Sequence, residues 1–326
     1  MKIAIIHANY DYTQVSALSH VQANFDKTFK FMDEAGKAGA GIVITNEDFG
    51  DIGSYIRDIA HNDCFASLVE QTQAAVTENL CAIAKKYNML IAANEYEAEN
   101  GKVYNTSKLI GRDGNIIGKY KKVQLPSGEF FKVHPGTEQP VFKTDIGNIG
   151  FATCYDIIFP EHCRILALNG ADIIIHQTQG WGIGSGSSVE TGEAFMKVRA
   201  AENSVYLFVA KNIQRDGAMS CIVDNMGNIA ASQPGNTDSL LVADIEPDFD
   251  ITDPYDYDNY YAGLNSVKAR HLLTRNPSAY KRITEGDPVF SSESLNTARL
   301  CTYEEWIDRI KRLEGLDSDE HKKMHW

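Results

Sequence analysis

The chain has little of what marks a membrane or nucleic-acid protein. No run among the 326 residues approaches the ~18 consecutive apolar positions of a membrane span, so no membrane partner is expected. Basic charge is scarce: 31 Lys and Arg stand against 44 Asp and Glu, for a formal net charge of −13. A surface this acidic repels a phosphate backbone, so no nucleic-acid partner is expected either. Cysteine is sparse and unpatterned. Cys64, Cys81, Cys154, Cys163, Cys221 and Cys301 contain no Cys-x-x-Cys spacing, which reads as reduced thiols rather than a disulfide framework. The segment Met1–Tyr10 has no long apolar region and no small-residue cleavage site, so a cytoplasmic location is expected. His162, Cys163 and His176 lack metal-site spacing, and the Gly-rich stretch Gly180–Gly186 has no following Lys-Ser/Thr. No metal or cofactor is therefore expected. A Gly-x-Ser-x-Gly elbow is also missing, which disfavours a serine hydrolase.

What is present is a globular composition, with 43% hydrophobic residues and material for a sizeable core. Lys2–His7 reads as a buried strand. Val21, Phe25, Phe29, Met32 and Ala35 recur at three- and four-residue steps and predict a helix. A strand at Gly41–Thr45, a helix through Val76, Leu80, Ile83 and Tyr87, and a strand at Met89–Asn94 follow. Hairpins come next: Val103–Ile110 with Ile116–Tyr120 around Asp113-Gly114, then Val141–Thr144 with Ile149–Thr153. Helices at Pro160–Asn169 and Glu193–Asn203 alternate with strands at Ala171–Gln177 and Val205–Ala210. Strands at Cys221–Asp224, Ile229–Ser232 and Leu240–Ile245 complete the pattern. Parallel-type units interleaved with hairpins predict an α/β (α+β) fold of mixed sheets covered by helices. Residues 244–261 are rich in Asp and Tyr and read as irregular and solvated.

Four polar residues stand in contexts suited to chemistry. Cys154 ends a small-residue strand just before a helix, where a nucleophile is exposed beside free backbone N–H groups. A catalytic cysteine needs a base or a cation nearby. Glu47 follows an apolar strand, Lys122 follows another, and Glu129 sits in an apolar, Gly-flanked loop. Taken singly, each has a plainer reading: a small buried cysteine, an exposed loop carboxylate, a solvated lysine, a surface turn.

Taken together, their order resembles the nitrilase-like (carbon–nitrogen hydrolase) superfamily. The matching segments are Asn46-Glu47, Tyr120-Lys121-Lys122-Val123, Glu129 with Pro135-Gly136 downstream, and Cys154-Tyr155-Asp156 before Phe159-Pro160-Glu161. Arg164, Gly170-Ala171-Asp172, Arg199-Ala200-x-Glu202-Asn203, Ser220, Val223-Asp224, Gly227 and Arg275-x-Pro277-x-x-Tyr280 extend the likeness over roughly residues 1–280, leaving 281–326 as a C-terminal extension. Asn46 and Gln124 depart from the Pro and His that members often carry there. The resemblance implies a four-layer α-β-β-α sandwich and a Glu–Lys–Cys triad. In it Glu47 is the general base, Lys122 the oxyanion donor and Cys154 the nucleophile, while Glu129 orients substrate and lysine. It also implies a homodimer or higher homo-oligomer, joined through the helices after Cys154 and around Arg199–Asn203.

The reaction expected on this basis is hydrolysis of a non-peptide C–N bond in a small linear amide or N-carbamoyl compound, through a cysteine thioester. Lys122 and the Tyr155 backbone N–H would hold the oxyanion, and Phe130 and Trp181 are candidates for the substrate pocket. The resemblance places Cys154-Tyr155-Asp156 nearer amidases and carbamoylases than nitrilases, which usually show Cys-Trp-Glu. Three alternatives remain: a nitrilase, an acyl- or amidotransferase on the same scaffold, and a non-catalytic interaction protein.

Overall fold

A computed structural model describes residues 1–10, 16–57, 64–126, 128–180, 189–213, 219–252, 266–284 and 305. The chain divides into two compact units, residues 1–249 and 250–325.

In the first unit the elements run β1 (Lys2–His7), α1 (Ala17–Lys37), β2 (Ile42–Ile44), α2 (Ser54–Arg57), α3 (Cys64–Tyr87), β3 (Leu90–Glu99), β4 (Lys102–Ile110) and β5 (Ile116–Lys121). They continue with β6 (Val141–Thr144), β7 (Gly147–Phe151), α4 (Pro160–Leu168), β8 (Ile173–Thr178), α5 (Val189–Asn203), β9 (Tyr206–Lys211), β10 (Met219–Val223), β11 (Ile229–Pro234) and β12 (Ser239–Asp244). These strands form two six-stranded mixed sheets, ordered β12-β1-β2-β3-β4-β5 and β11-β10-β9-β8-β7-β6. Three central strands of each sheet are parallel, β1-β2-β3 and β7-β8-β9, and antiparallel partners flank them.

Hydrophobic alternation sets the layering. Ile3 and Ile5 of β1, Ile42 and Ile44 of β2, Leu90 and Ala92 of β3 share one apolar cluster with Ile149 and Phe151 of β7, Ile173 and Ile175 of β8, and Phe208 and Ala210 of β9. That cluster is the seam between the two sheets. The intervening residues, such as Ala4, Ile6, Val43 and Ile91, are also buried and face the helices. Burial on both faces explains why these strands read as continuous apolar runs. The helices α1 and α3 pack together on the first sheet, and α4 and α5 pack together on the second, giving the expected α-β-β-α sandwich. Helix α1 buries Val21, Phe25, Met32 and Ala35 along one stripe, and Ser16 caps its first turn by accepting from Ser19 N–H.

The second unit contains α6 (Val267–Leu273), capped by Ser266 accepting from Ala269 N–H at 3.0 Å, then a short turn Pro277–Tyr280 and α7 (Lys281–Thr284). The Arg275 guanidinium lies over the Tyr280 ring, 5.3 Å from its centre. Of the acidic, tyrosine-rich stretch, residues 253–261 lie outside the described residues.

Candidate active site

The four polar residues sit where strands end. Glu47 lies three residues past β2, Lys122 one past β5 and Cys154 three past β7. Glu129 opens a short 3-10 turn, Glu129–Phe131, entered through Gly128 at φ 98°. Strand ends of this kind are where α/β folds build their sites. Cys154 begins a second 3-10 turn, Cys154–Ile158, and holds φ at 47°. A left-handed conformation is uncommon for a residue with a side chain. It lifts Cys154 out of the strand direction at the point where the chain turns towards α4. The first hydrogen bond inside that turn runs from Asp156 N–H to Thr153 O, so the Cys154 and Tyr155 N–H groups precede it.

The plainer readings of three residues fail. Lys122 is 2% exposed, Glu47 4% and Glu129 8%. Lys122 Nζ donates to Glu47 Oε1 and to Glu129 Oε2, both at 2.8 Å. Its neighbour Lys121 points the other way and pairs with Glu99 at the surface, as strand alternation requires. The Lys122 backbone is held on both sides, its N–H donating to Asn105 O and its carbonyl accepting from Gly136 N–H, each at 2.8 Å. A Cβ at Gly136 would lie 2.1 Å from Lys121 O, so only glycine permits that approach. Cys154 is half-buried, and its thiol is within hydrogen-bonding reach of Glu47 and Thr178.

Electrostatics divide the roles. Burial would raise the Glu47 pKa, but the Lys122 charge and hydrogen bond, the Cys154 contact and the Gln179 N–H outweigh it, and the net shift is downward. Burial opposes the charge on Lys122, yet Glu129 and Glu47 hold its pKa well above the usual value. Burial and the Glu47 carboxylate push the Cys154 thiol up to about 11. The resting site is thus an ionised carboxylate, an ammonium and a neutral thiol.

The sequence model of the carbon-nitrogen hydrolase family matches residues 2–249. The chain belongs to the carbon-nitrogen hydrolase family. It is an enzyme of non-peptide C–N bond hydrolysis. Similar proteins include a nitrilase of Pyrococcus abyssi, 30% identical over 200 residues that cover 61% of this chain and 72% of that one. A citrullinase of Francisella tularensis is 24% identical, covering 74% of this chain and 88% of its own. An N-carbamoylputrescine amidase of Oryza sativa is 28% identical, covering 66% and 72%. Among solved structures, an amidase from Nesterenkonia sp. AN1 that has undergone Michael addition of acrylamide at its active-site cysteine shares the fold, with a TM-score of 0.67. It is 21% identical and aligned over 87% of this chain and 99% of its own.

The roles of several residues around this candidate site escape the sequence reading. Asp156 Oδ2 accepts from Tyr120 OH at 2.5 Å and from Thr153 N–H at 2.9 Å, while its Oδ1 accepts from Gln124 N–H at 2.8 Å. One buried carboxylate thereby ties the Lys122 segment to the Cys154 segment. Arg199 donates to the carbonyls of Ile157 at 3.0 Å and Ile158 at 3.1 Å and to Glu202 at 2.9 Å, so α5 braces the turn that Cys154 begins. Asn105 donates to both glutamates. The signals available were the Tyr120/Lys122 two-residue spacing and the arginine motif, both of which mark positions without naming partners. The pocket candidates fare unevenly. Phe130 is half-buried and packs on Phe131 with ring centres 4.2 Å apart, and Tyr155 meets Phe159 edge-on at 5.3 Å. Trp181 lies outside the described residues. Among the described residues no group of three or more metal-ligating side chains converges. No helix there is long and apolar enough to cross a membrane.

Proposed function

We propose that the enzyme hydrolyses a small linear amide or N-carbamoyl compound through a thioester on Cys154. The observation that carries this reading is the buried Lys122 ammonium bridging Glu47 and Glu129 at 2.8 Å on each side, with the Cys154 thiol against Glu47. A thiol with its pKa raised to about 11 is protonated at neutral pH and needs a base to become a nucleophile. Glu47 is ionised and in reach. Transfer of the proton to it is uphill at rest, so deprotonation accompanies attack and free thiolate does not accumulate.

The steps balance as follows. Glu47 takes the thiol proton while sulfur bonds to the carbonyl carbon, and the oxygen becomes an oxyanion. Lys122 and the Tyr155 N–H donate to that oxygen; losing one such donor typically costs about 3–4 kcal/mol of barrier. The C–N bond then breaks, and the proton on Glu47 goes to the departing nitrogen, which leaves as ammonia or an amine. Water, giving a proton to Glu47, attacks the thioester. The C–S bond breaks, and the sulfur recovers its proton. Glu129 holds Lys122 in place throughout.

Two considerations support amide or carbamoyl substrates. The Cys154-Tyr155-Asp156 segment departs from the Cys-Trp-Glu of nitrilases. Two similar proteins are named for citrulline and N-carbamoylputrescine. The test is ammonia release from a panel of small amides, carbamoyl compounds and nitriles, with Cys154→Ala alongside and with a competing amine to reveal acyl transfer. Cysteine-dependent turnover of amides or carbamoyl compounds is expected. Turnover confined to nitriles, or products made only with the added amine, would replace this reading.

A further inference from the structure

Asn105 sits between the two glutamates. Its Nδ2 lies 3.0 Å from Glu47 Oε1 and 2.9 Å from Glu129 Oε1, one N–H for each carboxylate. The orientation of this amide is forced from below. Asp48 N–H donates to Asn94 Oδ1 at 2.8 Å, and a backbone N–H can only donate. Asn94 must therefore point its nitrogen the other way, where it donates to Asn105 Oδ1 at 2.8 Å and to Ser107 Oγ at 3.0 Å. Asn105 Oδ1 is then the acceptor, and its nitrogen faces the carboxylates. The relay from Asp48 through Asn94 and Asn105 runs in one direction and ends on two oxygens that must both accept.

This asymmetry marks the atoms of Glu47. Oε1 already takes Lys122 and Asn105, whereas Oε2 takes the Gln179 N–H at 3.1 Å. We infer that Asn105 is a positioning residue, which keeps Oε1 of both glutamates unprotonated and leaves Glu47 Oε2 as the atom that receives the Cys154 proton. This rests on the reading of Glu47 as the base. The titratable groups interacting with Glu47 include Lys122, Cys154, Asp48, Tyr96 and His176, and Glu129 shares Lys122 and Asn105 with it. Replacing Asn105 removes one N–H from Glu47 and one from Glu129 and leaves the other groups in place, so a change in Glu47 titration reports the loss of this shared amide.

The test reads Cys154 reactivity without needing the substrate. The rate of alkylation by iodoacetamide is followed by intact mass from about pH 3.5 to 9, in the wild type, Glu47→Gln, Asn105→Leu and Asn105→Ser. Circular dichroism reports folding, and Asn105→Ser, too short to reach both carboxylates, serves if Asn105→Leu does not fold. The wild type is expected to lose reactivity along an acid limb that Glu47→Gln abolishes. In the Asn105 variants that limb moves upward by roughly one pH unit, because one hydrogen bond to a charged group is gone. A uniform loss of rate with the limb unmoved would mean that Asn105 only supports the fold, and would overturn the inference. A wild-type limb that survives in Glu47→Gln would overturn the base assignment itself, and the inference with it.

Discussion

At the scale of single residues, the candidate site holds one ammonium between two buried carboxylates. Lys122→Met removes it and leaves Glu47 and Glu129 without their shared cation. We expect kcat/KM to fall by at least about 100-fold. Thermal unfolding should also move down, since breaking a buried ion pair typically costs about 3–5 kcal/mol. Steady-state kinetics and melting curves check the two effects separately. Asp156→Asn is gentler. An amide presents one acceptor oxygen where Asp156 uses two, so it cannot satisfy Tyr120 OH, Thr153 N–H and Gln124 N–H together. A small misplacement of Lys122 against Cys154 follows, and kcat should drop by up to about 100-fold. An unchanged kcat would remove Asp156 from the positioning scheme. Glu47, Lys122, Glu129 and Cys154 stood out in the sequence through the order of their motifs, which resembles the family, since taken singly each had a plainer reading. Asn105 did not stand out. Its neighbour across the hairpin depends on a one-residue irregularity between Leu109 and Ile110. Counting from the Ile110/Ile116 pair places Tyr104 opposite Lys122, whereas the register beyond the irregularity places Asn105 there. A single inserted residue reverses which side chain faces the site.

At the scale of elements, strands with an apolar period were legible, and those with charged ends were not. The tail of β3 carries Glu95, Glu97 and Glu99, beyond Asn94 where the expected strand stopped. They continue the strand by pairing across it with Lys108, Lys119 and Lys121. Helix α3 begins at Cys64, ahead of the stripe through Val76 and Leu80, because Phe65, Leu68 and Val69 extend the buried face. Near the site the seam between the sheets turns polar. Gln177 of β8 donates to the carbonyls of Thr45 at 3.0 Å and Ala92 at 3.2 Å, and accepts from Ser107 of β4 at 2.8 Å. His176, next to it, is hydrogen-bonded to Ala152 O at 2.7 Å, and burial lowers its pKa to about 4. An unfolded histidine titrates near 6.5, so between about pH 6.5 and 4 the unfolded chain binds the extra proton, and stability falls as pH falls. The contribution is about 3 kcal/mol when fully developed. Glu95, whose pKa burial raises to about 7, works in the opposite direction over an overlapping range. The comparison that isolates His176 is therefore wild type against His176→Asn, which keeps a donor for Ala152 O. Denaturant unfolding at pH 4, 5, 6 and 7 should show a shallower acid loss in the variant; parallel curves would contradict it.

At the scale of the whole molecule, the exposed faces of α4 and α5 carry Ile165, Leu168 and Val198, at 37%, 44% and 51% exposure. We propose that a second copy of the chain covers them. Sedimentation should find a dimer or larger assembly, and Leu168→Glu with Val198→Glu should yield a smaller species. A wild-type monomer at micromolar concentration would contradict this. Two mixed sheets facing each other follow from the burial of β1, β8 and β9 on both faces, and that geometry brings strand ends from both sheets to one place. The central claim is that the bond-breaking chemistry passes through Cys154. It is tested most directly by mixing the enzyme with a turned-over amide, quenching with acid within the first turnovers and weighing the intact protein. We predict an added mass equal to the substrate less its departing ammonia or amine, mapped to Cys154 and missing from Cys154→Ala. Turnover with no adduct on Cys154, or turnover that persists in Cys154→Ala, would contradict the account.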